Sequence, residues 1–286
     1  MKKNLFLIVV ILLTLQLFHS PIYSKESKVK SIDGVEISFD VIGEGDIALV
    51  FIHGWSCDKS YWNYFKDGFA KDYKVVAIDL AGHGASGLNR ENYTVELFGE
   101  DVTAVVNHLM LNKVILIGHS MGGAVIIEAA KRLPGKVLGL VGVDTYQSFV
   151  DNWSTEQKEN FLKSFTENFV ETTKRFVKSM FPQTADSNLV KKVAEDMSSA
   201  PPEAAVSSIR NVFFYDPIPT LKEINLPIIS INCDMYPVAI EENKKIVKDF
   251  DVKFIKGVGH FLMLEKPGEF NELLSEAINK LSNRNL

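Results

Sequence analysis

Four short stretches of the chain are almost wholly apolar: residues 49–52 (Leu-Val-Phe-Ile), 75–78 (Val-Val-Ala-Ile), 114–117 (Val-Ile-Leu-Ile) and 138–143 (Leu-Gly-Leu-Val-Gly-Val). Runs of this length without polar alternation suit strands buried on both faces, as in a parallel sheet. Between them lie stretches with helical spacing. Residues 95–109 follow Thr94, which stands where an N-cap belongs, and residues 121–133 are stopped by Pro134-Gly135. Two further strands are expected at 228–231 and 252–255, and a helix near Pro267. Near the start, residues 29–31 and 35–42 read as an antiparallel pair turning at Asp33-Gly34. Strands alternating with helices of this length imply right-handed crossovers and an α/β, mostly parallel, doubly wound sheet.

Between residues 144 and 226 the pattern changes. No β-run occurs, and aromatic residues recur at helical intervals, as in Phe161, Phe165, Phe169 and Phe176. This predicts a helical insertion in a single domain: a core of residues 25–144 and 221–286, and a cap of residues 145–220. Most of these rings are expected to pack helix against helix. A minority should face inward and line a substrate pocket between cap and core, with Trp153, Phe181, Phe213 and Phe214 as the candidates.

The first 24 residues differ in kind. Lys2 and Lys3 precede a mostly apolar run of 14 residues, 5–18, and then a short segment ending in Tyr23-Ser24. That is the layout of a secretory signal peptide, too short to span a membrane comfortably. Export with cleavage after Ser24 is expected, leaving no stable membrane association; an uncleaved anchor is the alternative. Cleavage removes two lysines and no acids, taking the formal charge from −5 to −7. A mildly acidic chain without basic runs offers nothing to a phosphate backbone, so nucleic acid is not an expected partner. Cys57 and Cys233, the two cysteines, would sit about three strand spacings apart in such a sheet, beyond disulfide reach, and are expected to be free.

The chemistry concentrates at Gly118-His119-Ser120-Met121-Gly122-Gly123, between the strand at 114–117 and the helix from Met121. A G-x-S-x-G sequence in that context is a nucleophile elbow. The turn is so tight that only small residues fit two positions either side of Ser120, and the helix N-terminus points at the developing oxyanion. His53-Gly54-Trp55 follows the strand at 49–52. Its glycine lets the loop approach Ser120, so that the N–H of Trp55 joins that of Met121 in an oxyanion hole. His53 precedes the serine by a whole crossover and is expected to brace this loop. The general base should come late in the chain, and His260, in Gly257-Val258-Gly259-His260 after the last strand, has the required place.

Together with Asp79-Leu80-Ala81-Gly82-His83-Gly84-Ala85-Ser86, these segments resemble the α/β-hydrolase superfamily, in its branch with a helical cap after the sixth strand. The resemblance covers residues 28–282. It implies an eight-stranded sheet, a structural role for Asp79, and a Ser-acid-His triad needing no metal or organic cofactor. The serine at 120 separates the chain from relatives with an aspartate nucleophile. The acid departs from the family pattern: the position three residues past the usual end of the seventh strand holds Tyr236. Asp144, after the sixth strand, and Asp234, after the seventh, are both candidates. The expected chemistry is acyl transfer on a small or medium carboxylic ester, lactone or thioester. C–C hydrolysis and cofactor-free haloperoxidase or perhydrolase chemistry use the same triad, and some relatives are non-catalytic ligand-binding proteins.

Overall fold

The computed structural model describes residues 25–283, so the expected export signal lies outside the described residues. Within them a single eight-stranded sheet runs in the order β1-β2-β4-β3-β5-β6-β7-β8. Its strands are β1 (Lys25–Lys30), β2 (Glu36–Ile42), β3 (Ala48–Ile52), β4 (Lys74–Ile78), β5 (Val114–His119), β6 (Val137–Val143), β7 (Ile228–Cys233) and β8 (Phe250–Ile255). β2 is antiparallel to both β1 and β4, and every other neighbouring pair is parallel. Each apolar run of the sequence is a strand, and β3 and β5 are buried along their whole length. β1 begins four residues earlier than its side chains suggest. Its polar start, from Lys25 to Lys28, is held in register with β2 at the sheet edge, where backbone pairing needs no apolar side chain.

Helices cover both faces. α1 (Asn63–Phe69) follows a 3-10 turn at Lys59–Trp62, and α2 (Val95–His108) packs against α3 (Met121–Arg132). The Thr94 hydroxyl caps α2 by accepting from the N–H of Leu97, 3.2 Å away. Further along, α9 (Ile240–Ile246), α10 (Leu262–Glu265) and α11 (Pro267–Ser282) close the fold. A Cβ on Gly139 of β6 would meet Leu281 of α11, whereas one on Gly142 would meet Thr145, which itself lies over Gly123 of α3. Residues an odd number apart on a strand face opposite ways, so α3 and α11 sandwich β6.

Five helices are inserted between β6 and β7: α4 (Thr155–Glu167), α5 (Phe169–Ser179), α6 (Ser187–Ser198), α7 (Pro202–Phe214) and α8 (Ile218–Ile224). A capping box between Ser154 and Gln157 starts α4, and Pro202 opens α7. α8 packs on α3 of the core. Both cysteines are buried and free; Cys57 lies in the loop after β3 and Cys233 ends β7, with β5 and β6 between those strands.

Candidate active site

The register of the central strands decides what meets what. Ile52 of β3 pairs with Gly118 of β5, which pairs with Gly142 of β6. The three strands therefore end level, and the loops beginning at His53, Ser120 and Asp144 emerge side by side at the carboxyl edge.

Ser120 occupies the turn from β5 into α3 with φ 52° and ψ −116°, a positive-φ conformation that side chains with a Cβ rarely adopt. Its N–H is tied to the carbonyl of Val143 at 3.0 Å. A Cβ on Gly118 would collide with the carbonyl of Gly122, and one on Gly122 would stand 2.7 Å from the carbonyl oxygen of Ile52. Both glycines are thus required by close approach. No side chain caps α3, and the N–H of Gly123 bonds back to the Ser120 carbonyl at 2.8 Å, so the N-terminus of the helix starts directly at the elbow.

The His53-Gly54-Trp55 loop lies against this turn: a Cβ on Gly54 would be 3.3 Å from the Ser120 Cβ. His53 is fully buried and braces the loop from inside. Its Nε2 accepts from the N–H of Leu80 at 3.1 Å, so Nδ1 carries the proton and donates to the carbonyl of Gly54 at 2.8 Å. Burial lowers its pKa and keeps it neutral. Asp79 supports the same region by accepting from the N–H groups of Lys59 and Ala85. The indole of Trp55 reaches the other way, donating to the carbonyl of Ala205 in α7 at 2.7 Å.

His260 is joined to Asp144. Its Nδ1 lies 2.6 Å from Asp144 Oδ2; the Asp144 side chain is fully buried and that of His260 is 14% exposed. The other carboxylate oxygen accepts from the N–H of Cys233 at 2.8 Å. Burial opposes the negative charge of Asp144, but these bonds outweigh it and hold the carboxyl below its usual pKa. With Nδ1–H committed to the carboxylate, Nε2 carries the free lone pair. The His260 ring lies beside the elbow, 4.7 Å between centroids from that of His119. Asp234, the other candidate acid, is exposed, and its Oδ1 accepts from the N–H of Gly257 at 2.9 Å. Burial and the Asp144 charge raise the Cys233 thiol to about 12, so it stays protonated.

The four aromatic candidates divide. Phe181 is buried and stacks on Phe261, next to His260, at 5.2 Å and 16°. Phe213 stacks on Phe161 at 4.9 Å, in an aromatic series that continues through Phe165 and Phe176 to Trp55. Trp153 caps the outer end of this series and is 50% exposed. Phe214 departs from the expected pocket wall. It is 40% exposed and lies beneath the cations of Lys158 and Arg210, at 5.0 and 5.3 Å, because one helical step turns it away from Phe213.

Sequence reasoning did not single out Met180, whose carbonyl accepts from the N–H of His260 at 2.8 Å, or Glu265, which accepts from the N–H of Gly259 at 2.8 Å. The first contact uses only a main-chain oxygen and has no sequence signature.

Comparison with known proteins agrees with this architecture. A pimeloyl-[acyl-carrier protein] methyl ester esterase of Nitrosospira multiformis is 27% identical over 252 residues, covering 82% of this chain and 95% of the relative. The Karrikin insensitive 2 receptor IA of Petunia hybrida is 24% identical over 81% of this chain and 90% of its own length. An esterase from Exiguobacterium antarcticum has the same fold, with a TM-score of 0.80 at 18% identity, covering 89% of this chain and all of the other. The sequence model of the Alpha/beta hydrolase family matches residues 49–273, and the chain belongs to that family.

Proposed function

We propose that this protein is a serine esterase that works through an acyl-enzyme on Ser120. The observation that carries the reading is the 2.6 Å contact between His260 Nδ1 and the buried Asp144 carboxylate. It leaves His260 Nε2 free to serve as the base for Ser120, which is held at positive φ. In the first step Nε2 takes the hydroxyl proton, and the Ser120 oxygen attacks the substrate carbonyl. The oxyanion is held by the N–H groups of Trp55 and Met121. Collapse expels the alcohol, protonated by the imidazolium, and water then releases the acid by the same route. Asp144 keeps the imidazole in the productive tautomer and offsets the charge it acquires.

The rings running from Trp55 through Phe165, Phe176 and Phe161 to Phe213 support an apolar acyl group of small or medium size. Export with cleavage after Ser24 is part of the same proposal, on the lysine-flanked apolar run at residues 5–18; the protein recovered from its producing cell should then begin close to Lys25.

Fluorophosphonate labelling followed by peptide mapping tests the nucleophile, alongside chromogenic esters of graded acyl length, lactones and a C–C cleavage substrate. Label on Ser120 and ester turnover are expected. Ser120→Ala should lose turnover by about 10⁴-fold or more while remaining folded. Near wild-type hydrolysis by that variant would refute the assignment, and labelling without turnover of any ester would favour a receptor that has kept its serine.

A further inference from the structure

The two main-chain hydrogen-bonding groups of His260 are gripped by parts of the molecule remote in sequence. Its N–H donates to the carbonyl of Met180, between α5 and α6 of the insertion, at 2.8 Å. Its carbonyl accepts from Nε2 of His119, the residue before Ser120, at 2.9 Å. A carbonyl oxygen only accepts, so His119 Nε2 bears the proton. Nδ1 is then a bare lone pair, and it is buried with no partner among the described residues. Burial lowers the pKa of this imidazole to about 3, so the donor stays neutral. A buried polar atom left without a partner is a cost, and a ring retained despite it invites the question of what its other nitrogen does.

The grip from the insertion has little slack. A Cβ on Gly259 would collide with the Met180 carbonyl and stand 2.9 Å from the Phe181 Cα. The neighbouring rings of Phe181 and Phe261 stack face to face. On the elbow side, His119 is itself confined, since a Cβ on Gly54 would lie 2.7 Å from its Nδ1.

Building on the acyl-transfer reading, we infer that His119 is a positioning residue for the general base: with the Met180 carbonyl it clamps the His260 backbone between the nucleophile elbow and the helical insertion. The clamp ties the imidazole to the element that carries Ser120, so that nucleophile and base move as one body. A displacement of the base by about 1 Å can cost on the order of 100-fold in rate. The opposite jaw makes the turn after α5 part of the catalytic framework, because lifting it releases the N–H of His260.

The test compares His119→Phe, which fills the site without a donor, with His119→Gln, whose amide can still donate to the carbonyl of His260. In His119→Phe, kcat should fall about 10- to 100-fold with KM within about threefold, and His119→Gln should recover most of that loss. Proton NMR of the full chain gives a readout independent of turnover: the low-field resonance of the His260 Nδ1–H, shared with Asp144, should shift or broaden in His119→Phe and return in His119→Gln. Wild-type kcat in His119→Phe overturns the proposal, as does equal impairment of both variants with an unchanged resonance, which would make His119 mere packing. If His119→Phe does not fold, Phe181→Ala loosens the other jaw, and an unmoved resonance with undiminished kcat there is equally fatal. Should wild type show the resonance but take no fluorophosphonate on Ser120, the acyl-transfer reading fails and the clamp stands.

Discussion

Strands β6 and β7 lie side by side and each is followed by an aspartate, yet the two carboxylates meet opposite fates. Val143 pairs with Ile231, so Asp144 stands level with Asn232, and Asp234 reaches two residues further out, about 7 Å along the strand. Asp144 is consequently enclosed. Its N–H is bound to the carbonyl of Ile231, its φ of 43° turns the side chain back over the sheet edge, and both of its oxygens are engaged. Asp234 projects past the rim and braces the β8 loop through the N–H of Gly257. A carboxylate can orient a catalytic imidazole only where water does not compete for it, and register alone places one aspartate inside that boundary and the other outside.

The largest effect expected from this contrast is catalytic. Asp144→Asn should lower kcat for an ester by about 10² to 10⁴-fold, because an amide opposite Nδ1 favours the wrong tautomer of His260. Steady-state kinetics on protein whose melting and circular dichroism remain close to wild type would show it, and a loss below tenfold would break the comparison.

The interior side of the rim also holds His53, His83 and His119, all buried with pKa values lowered by burial, the last two to about 3. Unfolding exposes imidazoles that titrate near 6.5, so between about pH 6.5 and 3 the unfolded chain binds more protons than the native one. The stability these groups contribute is therefore complete above about pH 6.5 and lost as pH falls toward their folded values, by about 1.4 kcal/mol per pH unit for each. Calorimetry at pH 5.5, in buffers of differing ionisation enthalpy, should register uptake of about two to three protons on unfolding. Uptake near zero would show that these rings are not buried as neutral groups.

Smallest of all should be the change at the outer aspartate. Asp234→Asn keeps an acceptor for the N–H of Gly257 and sits in solvent, so kcat should change by less than about threefold and stability by less than about 1 kcal/mol. A crippled Asp234→Asn beside a healthy Asp144→Asn would reverse the assignment outright.

The local pattern of the chain carried a large part of this architecture. Apolar runs at 49–52, 75–78, 114–117 and 138–143 marked the central strands because burial on both faces leaves no room for polar alternation. The elbow was equally legible, since the crowding around Ser120 admits only glycine at 118 and 122 and so leaves a signature in residue type. The 3-10 turn and α1 after β3 were less visible: Trp62, Phe65 and Phe69 are buried at helical spacing, but over too few turns for periodicity to stand out.

Other features were beyond the reach of a linear reading. Aromatic spacing in the insertion announced helices, and it could not say that Phe181 packs beside the base while Phe214, one residue after a packed Phe213, lies under the cations of Lys158 and Arg210. The sequence by itself determined the strands, the elbow and the late histidine, because backbone sterics and burial dictate which residue types those positions tolerate. Only the tertiary structure decided between Asp144 and Asp234 as the partner of His260, and only it brought the Met180 carbonyl and the His119 imidazole onto the His260 backbone. Those contacts depend on strand register and on main-chain atoms, and every residue type carries the same main chain.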